Sequence, residues 1–198
     1  MISRFIKKTL LLSLAMILIE GSCLAAGKTA SPYIHYYEYY EGLAPSWMAW
    51  TIDKISSRSG PGTEYSETGT YNVKGQYIPV ISIAYDEENS IYWLQCEIKY
   101  QNQLRRVYTG LKRFDSTSFA LSEVPYEYPY EGQIKVLHTC MGMYGPGAGY
   151  ATYGDIMIEK GQMVTFIASE NGYAMIEWTT DKSYRAWVPL GALELSVG

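Results

Sequence analysis

Short stretches in which apolar and polar residues alternate recur through most of the chain. Leu94, Cys96 and Ile98 alternate with polar neighbours, which is the two-residue period of a strand with one buried face. Segments of similar length predict further strands at residues 77–85, 104–108, 163–168, 173–179 and 184–188. Because no segment beyond residue 26 shows a sustained helical period, the pattern predicts an all-β protein.

The turn-forming residues between these segments support the same fold class. Asn171-Gly172 predicts a hairpin turn, because both residue types tolerate a positive φ. Residues 101–103 predict a second turn, and residues 189–191 predict a short 3₁₀ turn. Pro79 predicts an edge strand or a bulge, since proline cannot donate to a strand ladder. Strands this short and this regularly interrupted are typical of two small β-barrels.

The first 26 residues have a different pattern, which is typical of a secretory signal peptide. Three basic residues and no acidic one precede an apolar run of 11 residues, from 9 to 19. That run is shorter than the roughly 18 residues that a membrane-spanning helix needs. Small residues follow at Ala25 and Ala26, so we expect cleavage after one of them and export of the remaining chain. No later apolar run is long enough to cross a membrane, so we expect no membrane span after signal removal.

Two other interpretations of this leader stay open. One is a buried N-terminal helix. The other is a lipid anchor on Cys23, which is less favoured because bacterial lipoprotein signals usually carry Leu or a similar residue at the position of Glu20. We therefore expect a secreted or cell-envelope-associated protein.

A repeat covers nearly all of the chain beyond the leader. Residues 37–42 recur as 126–132, 59–65 match 144–150, 74–76 match 160–162, and 106–108 match 185–187. Self-similarity of this kind predicts two related modules, at residues 33–118 and 122–198. The polar stretch 116–125 joins them and fits a linker.

The repeated motifs resemble those of the bacterial SH3 domain family. Residues 58–65 read Arg-Ser-Gly-Pro-Gly-Thr-Glu-Tyr, and a Lys-Gly-Gln step, a Trp-bearing strand and a final aromatic residue follow. The second copy keeps Gly-Pro-Gly at 145–147, Tyr150, Lys-Gly-Gln at 160–162 and Trp-Val-Pro-Leu at 187–190. The resemblance implies two tandem small SH3-like β-barrels, each partly open and of roughly five or six strands. It also implies docking on cell-wall peptides or glycans, or on partner proteins.

Charge and composition narrow the function classes. Without Arg4, Lys7, Lys8 and Glu20 of the leader, the 16 basic and 20 acidic residues become 13 and 19, a formal net charge of −6. A surface of this charge repels phosphate, so we expect no nucleic-acid partner. The chain has 20 tyrosines against four phenylalanines, an abundance of aromatic residues that argues against disorder. Tyrosine suits half-exposed positions and interfaces, because its ring is apolar and its hydroxyl is polar.

Two small barrels can bury only a few large rings, so we expect several aromatic side chains to line an exposed face near each Gly-Pro-Gly segment. The candidate ligand-binding residues are Tyr65, Tyr71, Trp93, Tyr108, Tyr150, Tyr153, Tyr173 and Trp187. Exposed rings hold peptides and sugars by flat apolar contact. The alternative is that these rings cover the contact between the modules and the barrel ends.

The cysteines and histidines offer a candidate for nucleophilic catalysis. On a strand, His138 and Cys140 would point to the same face, and exported cell-wall peptidases often use a Cys–His pair. However, Cys140 stands at the position that Ile55 occupies in the first copy, which indicates a place in a core. Cys96 also lies on the apolar face of its strand. We therefore expect structural thiols and no catalytic residue, and a disulfide between the two stays open.

The residue spacings give no sign of a metal or cofactor site. The chain contains no Cys-x-x-Cys or His-x-x-x-His motif, and its two histidines, His35 and His138, fall in different modules. We expect no metal site and no cofactor.

Together these features predict a non-catalytic exported binding protein. The expected partner is cell-wall peptidoglycan, recognised through its peptide or its glycan part. The alternative is a surface adaptor or sensor that binds a protein and has no affinity for the wall. A Cys-dependent wall hydrolase is a third and less favoured hypothesis.

Overall fold

The computed structural model describes residues 47–124, 126–127 and 132–195. The predicted signal peptide at residues 1–26, the anchor position Cys23, His35 and the first repeated segment at residues 37–42 lie outside the described residues.

The first half of the described chain forms one six-stranded antiparallel sheet. Its strands are β1 (Trp47–Trp50), β2 (Ile55–Arg58), β3 (Glu67–Tyr71), β4 (Tyr77–Asp86), β5 (Ile91–Tyr100) and β6 (Gln103–Gly110). They lie side by side in the order β1-β4-β5-β6-β2-β3. A 3₁₀ turn at Leu111–Arg113 follows the last strand, and another at Leu121–Glu123 leads out of this half.

The second half forms a second six-stranded antiparallel sheet. Its strands are β7 (Gln133–Lys135), β8 (Cys140–Met143), β9 (Thr152–Ile158), β10 (Met163–Glu170), β11 (Tyr173–Thr179) and β12 (Ser183–Pro189). Their order, β7-β10-β11-β12-β8-β9, repeats that of the first sheet strand for strand, and a 3₁₀ turn follows here too, at Leu190–Ala192. The prediction of an all-β protein is confirmed. None of the described residues forms a helix that is long and apolar enough to span a membrane.

The turns follow from residues that accept unusual backbone angles. Asn171 and Gly172, between β10 and β11, have φ values of 49° and 78°, as the hairpin prediction requires. Gln101 and Asn102, between β5 and β6, have φ values of 50° and 64°. The bulge predicted near Pro79 is also present, as a register shift between Val80 and Ser82.

Corresponding irregularities show that the two sheets are built alike. The second sheet has its own register shift between Phe166 and Ala168, at the position that matches the bulge of the first. After each 3₁₀ turn the chain returns beside the first strand of its sheet, through the bridges Thr51–Phe114 and Val136–Leu193. The repeat seen in the sequence is therefore a repeat of strand pairing.

Apolar residues on the inner faces of the sheets form the cores. Ile55, Val80, Leu94 and Cys96 belong to the first core, and each is fully buried. The second core contains Phe166, Ile176 and Val188, with Cys140 packed against it as a half-buried residue. Ile55 pairs with Tyr71, and Cys140 pairs with Ile158 at the same place in the second sheet. The expectation that Cys140 takes the place of Ile55 is confirmed.

Candidate functional site

The predicted ligand-binding aromatics are mostly inside the molecule. Tyr65, Tyr71, Trp93, Tyr108, Tyr153 and Trp187 are buried, while Tyr150 and Tyr173 are half-buried. Tyr71 and Tyr153 belong to the first core, and Tyr173 packs against a small cluster that includes Trp187. The expectation that these rings line an exposed face is wrong for the six buried residues. Tyr65, Tyr108 and Trp187 are covered where the two halves of the chain pack against each other.

Four of these rings lie where the two sheets meet, and they take part in a reciprocal set of contacts. Tyr65, which follows the first Gly-Pro-Gly segment, donates a hydrogen bond of 2.6 Å to Oε2 of Glu177 on β11. Arg185 on β12 donates from Nε to the same oxygen at 2.7 Å. The hydroxyl of Tyr65 therefore reaches across to an ion pair of the other sheet.

The matching residues make the same contact in the opposite direction. Tyr150, which follows the second Gly-Pro-Gly segment, donates to Oε2 of Glu97 on β5. Arg106 on β6 donates from Nε to that oxygen at 3.1 Å. Glu97 pairs with Arg106 in register as Glu177 pairs with Arg185, so the two Tyr–Glu–Arg triads occupy equivalent positions.

Backbone hydrogen bonds across the contact are reciprocal in the same way. Ser183 N–H donates to the carbonyl of Glu64 at 3.2 Å, and Ser66 N–H donates to the carbonyl of Ser183 at 3.0 Å. In the other direction, Leu104 N–H donates to Gly149 at 3.1 Å and Ala151 N–H donates to Leu104 at 3.0 Å. A contact in which each half presents the same surface to the other is isologous, as in a two-fold dimer.

The two triads differ in their second carboxylate. Arg106 holds Glu170 of β10 through two hydrogen bonds, of 2.6 and 3.0 Å. In the first sheet the position equivalent to Glu170 is occupied by Ala84. Ala84 pairs with Trp93 as Glu170 pairs with Tyr173 in the second sheet. Arg185 instead pairs with Glu127, which lies between the sheets in the sequence and whose side chain is 1 % exposed. Glu127, which lies between the two sheets in the sequence, thus supplies a charge that the first sheet lacks.

Glu127 is held by the first sheet while it pairs with the second. Its N–H donates to the carbonyl of Ile83 at 3.0 Å, and the hydroxyls of Ser82 and Tyr108 both donate to its Oε1. Burial raises the pKa of Tyr108 well above its usual value, so its hydroxyl stays protonated and donates. Because these groups are almost fully desolvated, their geometry is fixed by their mutual contacts.

Burial also raises the pKa of Tyr65 and of Tyr150, although Arg185 and Arg106 act in the opposite direction. Each arginine side chain lies over its tyrosine ring, with Arg185 Cζ 5.5 Å from the Tyr65 centroid and Arg106 Cζ 5.3 Å from that of Tyr150. The tyrosines near the Gly-Pro-Gly segments therefore join the sheets, as the alternative interpretation of the aromatic residues predicts.

An exposed aromatic surface lies elsewhere, on the outer side of β1 and β4. Trp50 pairs with Tyr77 and Met48 pairs with Pro79, so the four side chains share one face of the strand pair. Trp50, Tyr77 and Met48 are 36 %, 58 % and 41 % exposed, and the rings of Trp50 and Tyr77 pack edge to face with centroids 4.9 Å apart. We call Met48, Trp50, Tyr77 and Pro79 the aromatic platform. None of its members was among the predicted ligand-binding residues.

The second sheet carries different chemistry at the equivalent positions. Gln133 pairs with Thr165 and Lys135 pairs with Met163, in the places of the platform pairs. A groove of about 530 Å³ opens beside this face. Its apolar lining residues are Met157, Met163 and Trp178, and its polar lining residues are Gln133, Gln162, Thr165, Glu177, Thr179 and Thr180. We call it the second-sheet groove. Its volume lies within the roughly 300–1,000 Å³ of small-ligand pockets.

The thiols show no feature of an activated nucleophile. Cys96 and Cys140 are both free. Burial raises the pKa of each thiol, whereas an activated cysteine has a lowered pKa. Among the described residues, no group of three or more His, Cys, Asp and Glu side chains is placed to hold a metal ion.

Comparison with known proteins gives no relative for this chain. No family model matches it, and neither a curated protein nor a solved structure matches it.

Proposed function

We propose that this chain is an exported, non-catalytic binding protein of the bacterial cell envelope, and that its aromatic platform contacts cell-wall peptide or glycan. The pattern of its first 26 residues supports export. The resemblance of both copies to bacterial SH3 domains supports a binding role, and it stands on the Gly-Pro-Gly and Lys-Gly-Gln motifs.

One observation carries the proposal, the exposure of an indole and a phenol side by side on a strand pair. Exposed apolar rings that lie next to one another on a strand pair are a candidate binding surface. The backbone beneath is held firmly, because Trp50 N–H donates to Oγ of Ser118 at 2.9 Å and Trp50 O accepts from Asp115 N–H at 2.8 Å. A flat ring surface on a rigid strand suits stacking against a sugar or a peptide.

The contact between the sheets supports the proposal indirectly. The side chains of Tyr65, Tyr108, Tyr150 and Trp187 take part in this contact. The platform is therefore a separate aromatic surface. Since the triads and Glu127 join the sheets, we infer that the two halves move as one body and present the platform and the second-sheet groove at a fixed spacing.

The test is co-sedimentation of the purified mature chain with isolated peptidoglycan sacculi. We expect the wild-type chain to sediment at micromolar concentration and the double variant Trp50→Ala/Tyr77→Ala to stay in the supernatant. Tyr85→Ala is the matched control, because Tyr85 is a similarly exposed tyrosine, at 44 %, on the far end of β4. Failure of the wild-type chain to sediment would overturn the proposal.

The alternative function, a surface adaptor for another protein, has its own outcome. If the chain does not sediment with sacculi, crosslinking on live cells that recovers proteins but no wall fragments would support the adaptor. The same Trp50→Ala/Tyr77→Ala variant would then report whether the platform is the surface that the protein partner contacts.

A further inference from the structure

We propose that the second-sheet groove binds a neutral glycan chain. This inference deepens the proposed envelope function by naming a ligand class and a second surface. It rests on the proposed function only for the biological source of the ligand, since the groove is argued from its own residues.

The uncharged polar lining matches a sugar in its hydrogen bonding. The amides of Gln133 and Gln162 and the hydroxyls of Thr165, Thr179 and Thr180 each donate and accept. Sugar hydroxyls also donate and accept, so either partner can take either role. Gln133 Nε2 already donates to Thr165 Oγ1 at 3.3 Å, a long bond that a ligand hydroxyl can replace.

The lining itself carries little charge. None of the residues that line the groove, in the part of the chain that the structure describes, is a lysine, an arginine or a histidine. This lining favours a neutral ligand, and Lys135, which pairs with Met163 beside it, is the basic side chain that the phosphate probe tests. The single charged group, Glu177, is balanced by Arg185, with which it forms a 2.7 Å ion pair. A neutral ligand fits this balance.

Glu177 is also fixed in place before any ligand arrives. Its Oε2 accepts from Tyr65 and from Arg185, yet its side chain stays 25 % exposed at the groove. A carboxylate held in this way accepts a ligand hydroxyl without losing freedom on binding. The reciprocal contact between the sheets thus orients one wall of the groove.

The apolar part of the lining provides a flat ring and two adaptable side chains. Trp178 stacks on Tyr184, with planes 14° apart and centroids separated by 5.5 Å, so its indole is held in one orientation. Met157 and Met163 are 46 % and 49 % exposed. Trp178 also packs against the second core, so it is the exposed part of its indole that gives apolar contact at the groove. The flexible thioethers fit an irregular group such as an N-acetyl methyl.

The backbone beside the groove favours a glycan over an extended peptide. A peptide that adds to a sheet edge needs a run of free N–H and C=O groups. At the outer edge of β7 the carbonyl of Lys135 already accepts from Glu194 N–H at 2.8 Å, and Val136 forms a bridge with Leu193. Residues 193–194 therefore occupy this part of the edge.

The experiment titrates the full mature chain with chitotetraose, a neutral N-acetylglucosamine tetramer, and follows heat and tryptophan fluorescence. We expect saturable binding that Thr165→Val, a change of similar volume, weakens about fivefold to tenfold, as expected for one lost hydrogen bond. Met163→Ala should also weaken it. Thr70→Val is the matched control, because Thr70 is an exposed strand threonine of the first sheet. Tetraglycine and inorganic phosphate serve as the peptide and anion probes.

Several outcomes would overturn the inference: no binding of chitotetraose at millimolar concentration, equal binding by Thr165→Val and wild type, or tighter binding of tetraglycine or phosphate. Failure of this inference is distinguishable from failure of the envelope function. A chain that sediments with sacculi through the aromatic platform but ignores chitotetraose refutes only the groove. A chain that binds chitotetraose in the groove but does not sediment refutes only the envelope function.

Discussion

Gly60 and Gly145 each lie against the ring of the tyrosine five positions later. A Cβ atom at Gly60 would lie 2.1 Å from Cδ1 of Tyr65, and one at Gly145 would lie 2.0 Å from Cδ1 of Tyr150. These distances are far shorter than any real carbon contact, so a side chain at either position must displace its tyrosine. The glycines thus let both tyrosine rings lie close to the backbone, from where each hydroxyl reaches the opposite sheet.

We therefore expect Gly60→Ala or Gly145→Ala to lower the free energy of unfolding by about 1–3 kcal/mol, the usual cost of forcing extra volume into a packed site. Urea denaturation followed by tryptophan fluorescence measures it. Gly191→Ala is the control, because a Cβ there would meet no atom within 4 Å. Equal stability of the Gly145→Ala and Gly191→Ala variants would contradict the proposed role of the glycines.

The repeat in the sequence predicted some residues of the contact between the sheets and missed others. The repeat correctly matched Cys140 with Ile55, because strand registers preserve the spacing of aligned residues. It also aligned Tyr65 with Tyr150 and Arg106 with Arg185, and these are the residues of the reciprocal contact. Their partners Glu97 and Glu177 were missed, although both lie directly opposite the aligned arginines on neighbouring strands. Looking for charge pairs that recur in both copies would have found them.

At the scale of elements, strand length and regular alternation together decided what the sequence could predict. β4, β5, β10 and β11 have seven or more residues, and their patterns predicted them within a few positions. β9 has seven residues too, but it was missed, because Gly154, with a φ of 58°, interrupts it. β1, β7 and β8 have four residues or fewer, too short for a period to appear. The aromatic platform lies partly on β1, which is why it was missed. A pair such as Trp50 and Tyr77 becomes visible only when strand pairing brings residues 27 positions apart together.

The segment between the sheets acts as a structural element, since its Glu127 pairs with Arg185 in a buried site. We expect Glu127→Ala to lower the free energy of unfolding by about 3 kcal/mol, because it leaves Arg185 buried with Glu177 as its remaining carboxylate partner. Glu127→Gln should cost less, since the amide oxygen still accepts from Tyr108. The measurement is the midpoint of chemical denaturation.

Glu67→Ala is the control for this prediction. Glu67 pairs with Arg58 at 3.2 Å, but its side chain is 73 % exposed, so its loss should cost less than about 1 kcal/mol. If Glu127→Ala costs no more than Glu67→Ala, the segment between the sheets does not hold them together.

At the scale of the whole molecule, the abundance of tyrosine has a structural explanation that composition could not give. Composition counts rings, but it does not say which surfaces cover each other. Here an isologous contact between two similar halves buries tyrosines from both Gly-Pro-Gly segments at once. The part of the aromatic surplus left outside includes the platform, on one sheet only. The two halves share this contact and differ on their outer faces, where the first sheet carries the aromatic platform and the second sheet carries the groove.

The buried tyrosines make the stability of the whole molecule sensitive to alkaline pH. Burial raises the pKa of Tyr65, Tyr108, Tyr144, Tyr150 and Tyr153 in the folded protein. Above the unfolded pKa of about 10, the unfolded chain releases these protons while the folded chain keeps them. The unfolded state then binds fewer protons, so the free energy of unfolding falls as pH rises, by up to about 1.4 kcal/mol per pH unit for each tyrosine.

We therefore expect the urea midpoint to be nearly constant from about pH 7 to about pH 8, to decline from about pH 8.5 as the thiols of Cys96 and Cys140 ionise in the unfolded chain, and to fall steeply above about pH 10. Tyrosinate absorbance should rise together with unfolding for these residues. The double variant Tyr65→Phe/Tyr150→Phe should be less stable at neutral pH, because it loses both hydrogen bonds across the contact, but its stability should fall less steeply with pH. Tyr85→Phe, which removes an exposed hydroxyl on β4, is the matched control. A midpoint that is flat to about pH 11 would show that the tyrosines at the contact ionise as freely in the folded chain as in the unfolded one, and the reciprocal contact could not then be as dry as the structure has it.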